Sequence, residues 1–342
     1  MSRGSRQAVN TNPWQDLVMK VLYIPQPGIM HPWYDDFAAA VADEHEIIMF
    51  DFEQPAPQQL QGVGVVVELG GKMSTPDLLD AALEAGVQLW QIMGTGLDHV
   101  DVQCFLDKGL PLANTPGQFS SVALAEHALF FMLWFAKKYP ENHVNLRAGL
   151  FYDPVTDDLE SATLGLVGFG NSAKQLALRT GPLGMRILAV DTVDVPNDVR
   201  KAHFVESCGG PGHLEQLLSE SDYVSLHTPL TATTRNLIGR RELELMKSSS
   251  VLINVARGEI VDEQALIEAL QTGQIAGAGL DAFEVEPLPL EHPFFEMPNV
   301  LMTPHTAGGS RGTSRRRGRA GADNVNRIAS GLDPLYRITS VE

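Results

Sequence analysis

One stretch limits the possible folds more than any other: Thr163–Asp191, which reads TLGLVGFGNSAKQLALRTGPLGMRILAVD. Leu164–Val167 is a short apolar run of the kind a fully buried strand needs. Gly168, Phe169 and Gly170 turn the chain at once, and Leu176, Ala177 and Thr180 then fall on one helical face. Gly181-Pro182 and Gly184 stop that helix. A second apolar run, Ile187–Val190, closes on Asp191. Strand, glycine turn, helix, strand and acid together make the pattern of a dinucleotide cradle. Gly168 permits the tight turn. Gly170 removes the Cβ that would hold a pyrophosphate away, and Ala173 lets the helix pack close to the sheet. Asn171 and Ser172 present their N–H groups at the helix start, where phosphate is attracted. Asp191 follows Gly170 by about the twenty residues expected of a ribose-binding acid. A carboxylate there accepts from a 2′-hydroxyl and repels a 2′-phosphate, and Thr192-Val193-Asp194 supplies no Arg or Lys. The expected cofactor is therefore NAD rather than NADP.

The 342 residues suggest two domains. A formal net charge of −17 argues against nucleic acid or an anionic membrane as partner. An anionic ligand must then be captured by local arginines or backbone N–H groups, not by the overall field. Cys104 and Cys208 are far apart and in no metal-ligand spacing, so no metal is expected and a reducing cytoplasm fits. No run has the length of a transmembrane helix. Residues 1–18 are polar, broken by Pro13 and without an apolar signal core, which reads as a disordered extension.

Taken in order, Met19–Ile24, Ile47–Phe50, Val63–Glu68 and Leu89–Ile92 read as strands, with helices at Trp33–Glu44 and Pro76–Ala85 between them. Two glycine-bearing loops, Leu69-Gly70-Gly71 and Met93-Gly94-Thr95-Gly96, follow the last two strands. Ala113–Gly117 is a turn cluster and a candidate hinge. Residues 120–138 form a helix that is apolar nearly all round, which calls for burial on all sides. That burial comes from a partner subunit, giving a homodimer, or from the rest of the same chain. Beyond the glycine turn, strands are expected at Tyr223–His227, Val251–Val255, Ala278–Asp281 and Val300–Met302, with a helix at Glu263–Gln271 and another at Asp323–Ser330. The alternation implies a doubly wound parallel sheet from about 118 to 307.

Three of those later strands end in residues that carry chemistry. They are INVARG at 253–258, LDAFEVEP at 280–287 and LMTPHTAG at 301–308. In open α/β sheets ligands bind at the carboxyl ends of strands. Arg257 directly after a buried apolar strand is costly unless it meets an anion. With GTGLDHVD at 94–101, NTPG at 114–117, AEHAL at 125–129, HTPLTATT at 227–234 and PNVLMTPHTAG at 298–308, the set resembles the NAD-dependent D-isomer-specific 2-hydroxyacid dehydrogenase family. The likeness runs from about Met19 to Ile338.

The resemblance implies an α/β fold of two Rossmann-like or flavodoxin-like doubly wound domains. The NAD-binding domain, 118–308, is inserted into a substrate domain made of 19–117 and 309–342. It implies hydride exchange between NADH and a small anionic 2-keto acid. Arg257 matches the arginine that holds the substrate carboxylate and keto oxygen, His305 the acid/base and Glu286 its carboxylate partner. A carboxylate beside His305 favours the imidazolium. Pro229, Thr234, Val255 and Ala256 fall where the family lines the cofactor, and Asp281 matches the aspartate that holds the nicotinamide amide. Arg257 and His305 adjoin that cofactor too. Thr95-Gly96 and Gly70-Gly71 match the loops that meet the substrate.

Other residues compete for these roles. His127 sits on the long helix and reads as structural. His227 has no carboxylate motif around it. Glu284 is the rival to Glu286, which the motif favours. The cluster Arg311, Arg315, Arg316, Arg317 and Arg319 reads as a solvated helix face. Where the family often carries a Trp, this chain has Gly149-Leu150-Phe151, which leaves substrate size open. Glyoxylate or hydroxypyruvate reduction is the expected activity. A phosphoglycerate dehydrogenase-like enzyme and a non-catalytic NADH-sensing binding protein are the alternatives.

Overall fold

The computed structural model describes residues 18–341. The extension read over residues 1–18 therefore lies, but for Val18, outside the described residues. The chain forms two compact units. One runs to Pro116 and resumes at Ser314, and the other is Gly117–Thr313. Each is an α/β unit on a parallel sheet, the expected fold class, with the second inserted into the first.

The first unit holds β1 (Lys20–Ile24), β2 (Glu46–Met49), β3 (Val65–Glu68), β4 (Leu89–Ile92) and β5 (Leu112–Ala113), in the order β2-β1-β3-β4-β5. Every pairing is parallel. Sheets covered on both faces need strands that are apolar on both faces. In β1, Leu22 and Ile24 pack into one core with Val66 and Trp90, while Val21 and Tyr23 enter the other with Val65 and Leu89. The second core is closed by Ala322, Val325 and Ala329 of the helix Arg311–Ala329. That helix begins well before the expected 323–330. Gly312, Gly318 and Gly321 hide it, because glycine disfavours helix by about 1 kcal/mol against alanine. Two of these glycines have a packing reason. A Cβ on Gly318 would lie 2.8 Å from the backbone of Asp36, and one on Gly321 would lie 3.3 Å from the Phe37 ring. The helix lies against Trp33–Val41 only because those side chains are absent.

The second unit holds β6 (Thr163–Val167), β7 (Arg186–Val190), β8 (Val205–Gly209), β9 (Tyr223–Leu226), β10 (Val251–Asn254), β11 (Gly277–Leu280) and β12 (Val300–Met302). Their order is β12-β11-β10-β9-β6-β7-β8, parallel throughout. The chain winds outward from β6 to β8, then returns through β9 to β12. The direction reverses between β6 and β9, and ligands of such sheets bind at that reversal. The helix Ser121–Ala136 covers one face. Its Phe131 and Phe135 rings occupy the space where Cβ atoms on Gly279 and Gly277 would otherwise stand. The rest of this chain covers the helix on one side only. Ala125, Ala128, Phe131 and Met132 are buried, but Phe130 is 47% and Leu133 39% exposed.

Candidate active site

The glycine turn follows β6 directly. Gly168 has φ +87°, a conformation side chains rarely adopt, and a Cβ there would lie 3.0 Å from the backbone of His227. A Cβ on Gly170 would meet nothing within 4 Å, so the space above it is open. The helix Asn171–Thr180 starts here, and its cap residue, Gly170, contributes no side-chain hydrogen bond. The first N–H groups of a helix have no partner within it, so Asn171, Ser172 and Ala173 offer theirs to the open space. Asp191, at the end of β7, accepts from Phe169 N at 2.6 Å and Val193 N at 2.9 Å. Its carboxylate is thereby tied to the turn. An open floor, unclaimed helix N–H groups and a fixed acid fit the diphosphate and ribose of a dinucleotide.

The neighbouring strand ends carry the remaining groups of this unit. Thr234 Oγ1 donates to Pro229 O at 2.6 Å, closing the turn after β9. Val255 is buried and Ala256 half-buried behind β10. Asn254 locks that turn: its amide donates to Arg257 O at 2.7 Å, and its Oδ1 accepts from Ala256 N at 3.0 Å. Arg257 Nη1 donates to Ala256 O at 2.8 Å. After β11, Asp281 is buried and accepts from Thr303 Oγ1 at 2.5 Å, Thr306 N at 2.8 Å and Ala307 N at 2.7 Å. Both of its oxygens are spent on the turn that carries His305.

His305 itself has φ +54°, unusual for a residue with a side chain. Its Nδ1 lies 2.8 Å from Glu286 Oε2 and 3.0 Å from Oε1. Glu286 also accepts from Phe283 N at 3.0 Å. Glu286, and not Glu284, lies against the histidine; Glu284 is exposed. The hydrogen bond that His305 Nδ1 donates to Glu286 raises the His305 pKa above the ordinary value, although burial and the charge of Arg257 oppose it. Burial pushes Glu286 up, but the His305 hydrogen bond and charge, the Phe283 N–H and Arg257 outweigh it and hold the carboxyl low. The charge of Arg257 acts on both groups, lowering each pKa.

In the first unit, Gly70 and Gly71 have φ +104° and +72°, so both need to be glycine. The His99 ring hydrogen-bonds the Gly70 carbonyl, which brings this loop to the one that carries Thr95 and Gly96. Asn114 Nδ2 donates to Thr95 O at 2.9 Å, and Thr115 N donates to Gly94 O at 3.1 Å. The NTPG segment thus braces the Gly94–Gly96 turn.

One support, Glu68, escaped the sequence analysis, and two histidines named there find their partners only in the structure. Glu68, buried at the end of β3, accepts from Met73 N at 2.6 Å and Trp90 Nε1 at 2.8 Å, which pins the loop after it. His227 bridges Ser172 Oγ and Ser225 Oγ, each at 2.9 Å, and burial pushes its pKa down to about 3. A neutral imidazole with one donor and one acceptor suits two hydroxyls. His127 Nε2 lies 2.8 Å from Thr303 Oγ1 and extends the Asp281 network, consistent with its structural reading. A single buried acid or histidine gives no sequence signal of its partners. Only AEHAL and HTPLTATT marked these helices and turns at all.

A family model for the D-isomer specific 2-hydroxyacid dehydrogenase, NAD binding domain, matches residues 129–307. A glyoxylate reductase of Korarchaeum cryptofilum is 37% identical over 246 residues, 70% of this chain and 72% of that protein. A D-3-phosphoglycerate dehydrogenase of Methanocaldococcus jannaschii is 31% identical over 276 residues, 80% of this chain; the match spans only 51% of that protein. Among solved structures, the NAD complexed form of a D-isomer specific 2-hydroxyacid dehydrogenase from Lactobacillus delbrueckii ssp. bulgaricus matches with TM-score 0.77 at 27% identity, covering 94% of this chain and 100% of that one. With the doubly wound sheets and the glycine turn already in place, these likenesses settle the family: the chain belongs to the D-isomer specific 2-hydroxyacid dehydrogenases, oxidoreductases with a nicotinamide cofactor.

Proposed function

We propose that this protein interconverts a small 2-keto acid and the matching D-2-hydroxy acid with NAD(H), and that reduction of glyoxylate or hydroxypyruvate is its activity. The observation that carries the reading is the His305–Glu286 pair, 2.8 Å apart, with the charge of Arg257 acting on both. The dihydronicotinamide, when bound, supplies the hydride. In reduction His305 gives its Nε2 proton to the carbonyl oxygen, and in oxidation it takes the hydroxyl proton back. Glu286 holds the ring through Nδ1 and keeps it protonated. Arg257 binds the substrate carboxylate and polarises the keto oxygen, a task its planar fork suits. Asp281 holds the His305 turn and, through its environment, the carboxamide end of the cofactor site. Gly168, Gly170, Asn171, Ser172 and Asp191 take the diphosphate and ribose. Pro229, Thr234, Val255 and Ala256 line the rest.

The Thr95-Gly96 turn gives backbone N–H groups to the substrate carboxylate, and Gly70-Gly71 shapes the loop beside it. Asp191 selects NADH over NADPH, because its carboxylate opposes a 2′-phosphate. The exposed Phe130 and Leu133 face of helix Ser121–Ala136 joins a second copy to form a homodimer, and the protein works in the cytoplasm. NADH consumption followed with a panel of 2-keto acids tests the activity. Turnover on glyoxylate or hydroxypyruvate is expected; none on any acid would sink the reading.

A further inference from the structure

The sequence set five arginines close together, Arg311, Arg315, Arg316, Arg317 and Arg319, as a solvated face. The structure divides them. Arg311, Arg315 and Arg319, four residues apart, are exposed on one side of the helix Arg311–Ala329. Arg317 turns the other way, into the first unit. Its guanidinium lies 5.7 Å from the centre of the Trp33 ring. Nη2 donates to Thr95 Oγ1 at 3.0 Å, and Nη1 donates to Met93 O at 3.4 Å, the longer and weaker bond. Nε is enclosed and has no partner.

This arrangement is an unfinished one. A guanidinium withdrawn from water needs a counter-charge, yet among the described residues no carboxylate pairs with Arg317. Burial and then the neighbouring charge of Arg316 push its pKa down to about 10, so it stays a cation at neutral pH. One turn earlier on the same helix face, the Ser314 hydroxyl is also buried without a partner. Arg317 Nε and the Ser314 hydroxyl thus lack an acceptor, and no counter-charge meets the cation, beside the turn proposed above to bind the substrate carboxylate. Gly318 keeps the arrangement rigid, since its missing Cβ lets the helix sit against Asp36.

We propose that Arg317 is a substrate-recognition residue whose guanidinium, held at Thr95 over Trp33, binds an anionic oxygen of the keto acid. The assignment rests on the reading of Thr95-Gly96 as the substrate turn. The anion meets the Nη edge, and the weak bond to Met93 O is the one released. The anion is either the C1 carboxylate or a second carboxylate or phosphate farther along the substrate. A guanidinium fits both, because each presents two oxygens to a planar fork.

Arg317→Met keeps the length and the apolar contact with Trp33 while removing the charge, and Arg317→Lys restores a cation without the fork. Both are assayed in the full chain, at saturating NADH, on glyoxylate, hydroxypyruvate, oxaloacetate and phosphohydroxypyruvate. Arg317→Met should raise KM about tenfold or more with kcat within about threefold. NADH affinity, read by fluorescence titration, should hold, and Arg317→Lys should recover part of the loss. A KM rise across all four acids identifies the C1 carboxylate; a rise confined to the two dianions identifies a second anionic group. Unchanged KM throughout, or a fall in kcat and Tm at constant KM, would show a brace and overturn the proposal. Oxalate supplies an arm independent of turnover: it should raise the Tm of the unsubstituted protein and not of Arg317→Met. If no keto acid turns over, the dehydrogenase reading fails by itself, while the oxalate shift still decides for or against Arg317. Should Arg317→Met not fold, Arg317→Lys and Arg317→Gln carry the same comparison.

Discussion

Glu286 outweighs both burial and the repulsion from Arg257 and holds the His305 pKa above its ordinary value. A folded-state pKa raised above the unfolded one gives stability below the ordinary histidine value, lost as pH rises through the raised pKa. The lowered Glu286 pKa gives stability above the ordinary glutamate value, lost as pH falls through it. In the proposed reduction the imidazolium gives the proton, so kcat/KM for the keto acid should be flat at low pH and fall above the raised pKa. Oxidation should rise over the same range. Glu286→Gln removes the raising partner and leaves burial and Arg257 unopposed, so the break should move to lower pH. A pH–rate profile reads this directly; an unmoved break would mean that another group sets it. His305→Gln should reduce kcat by about 10²–10⁴-fold with NADH binding kept, and retained turnover would reject the acid/base role.

At the scale of elements, glycines do two different jobs that substitution separates. Gly170 faces open space, so Gly170→Ala should leave the Tm nearly unchanged while weakening NADH binding, because the added methyl intrudes only on the ligand. Gly318 faces the backbone of Asp36 at 2.8 Å from where a Cβ would stand. Gly318→Ala should therefore cost about 1–3 kcal/mol through overpacking, visible as a lowered Tm in thermal unfolding. Equal effects of the two substitutions on Tm would contradict this division. The strands and the glycine turn were legible because buried parallel strands are apolar runs closed by turn residues. The edge strand β8, VESCG, was not, since half of its residues face outward and break the run. The helix Arg311–Ala329 was half hidden, because glycines chosen for close packing read as helix breakers.

For the molecule as a whole, the net charge of −17 repels small anions, so capture falls to arginines in fixed places. High salt should consequently change KM for the keto acid less than neutralising Arg257 or Arg317 does. No helix among the described residues is long and apolar enough to cross a membrane. The homodimer proposed through Phe130 and Leu133 predicts a dimer mass in analytical ultracentrifugation and a shift to monomer for Phe130→Glu with Leu133→Glu. A monomer before substitution would remove the interface. NADPH giving the higher kcat/KM would likewise remove the cofactor preference assigned to Asp191.

The order of strand, glycine turn, helix and acid by itself determined a dinucleotide-binding sheet. The spacing of Arg257, Glu286 and His305 at later strand ends determined which side chains could carry chemistry. Both are local or periodic facts, set by which residues can be buried and which backbones can turn, so a linear reading reaches them. The tertiary structure alone decided that Asp281 spends its oxygens on the turn that carries His305, and that Arg317 points away from the exposed Arg311, Arg315 and Arg319. Those outcomes depend on contacts between residues far apart in the chain. Arg317 reaches Thr95 across more than two hundred positions, and no pattern along the sequence records where such a side chain will point.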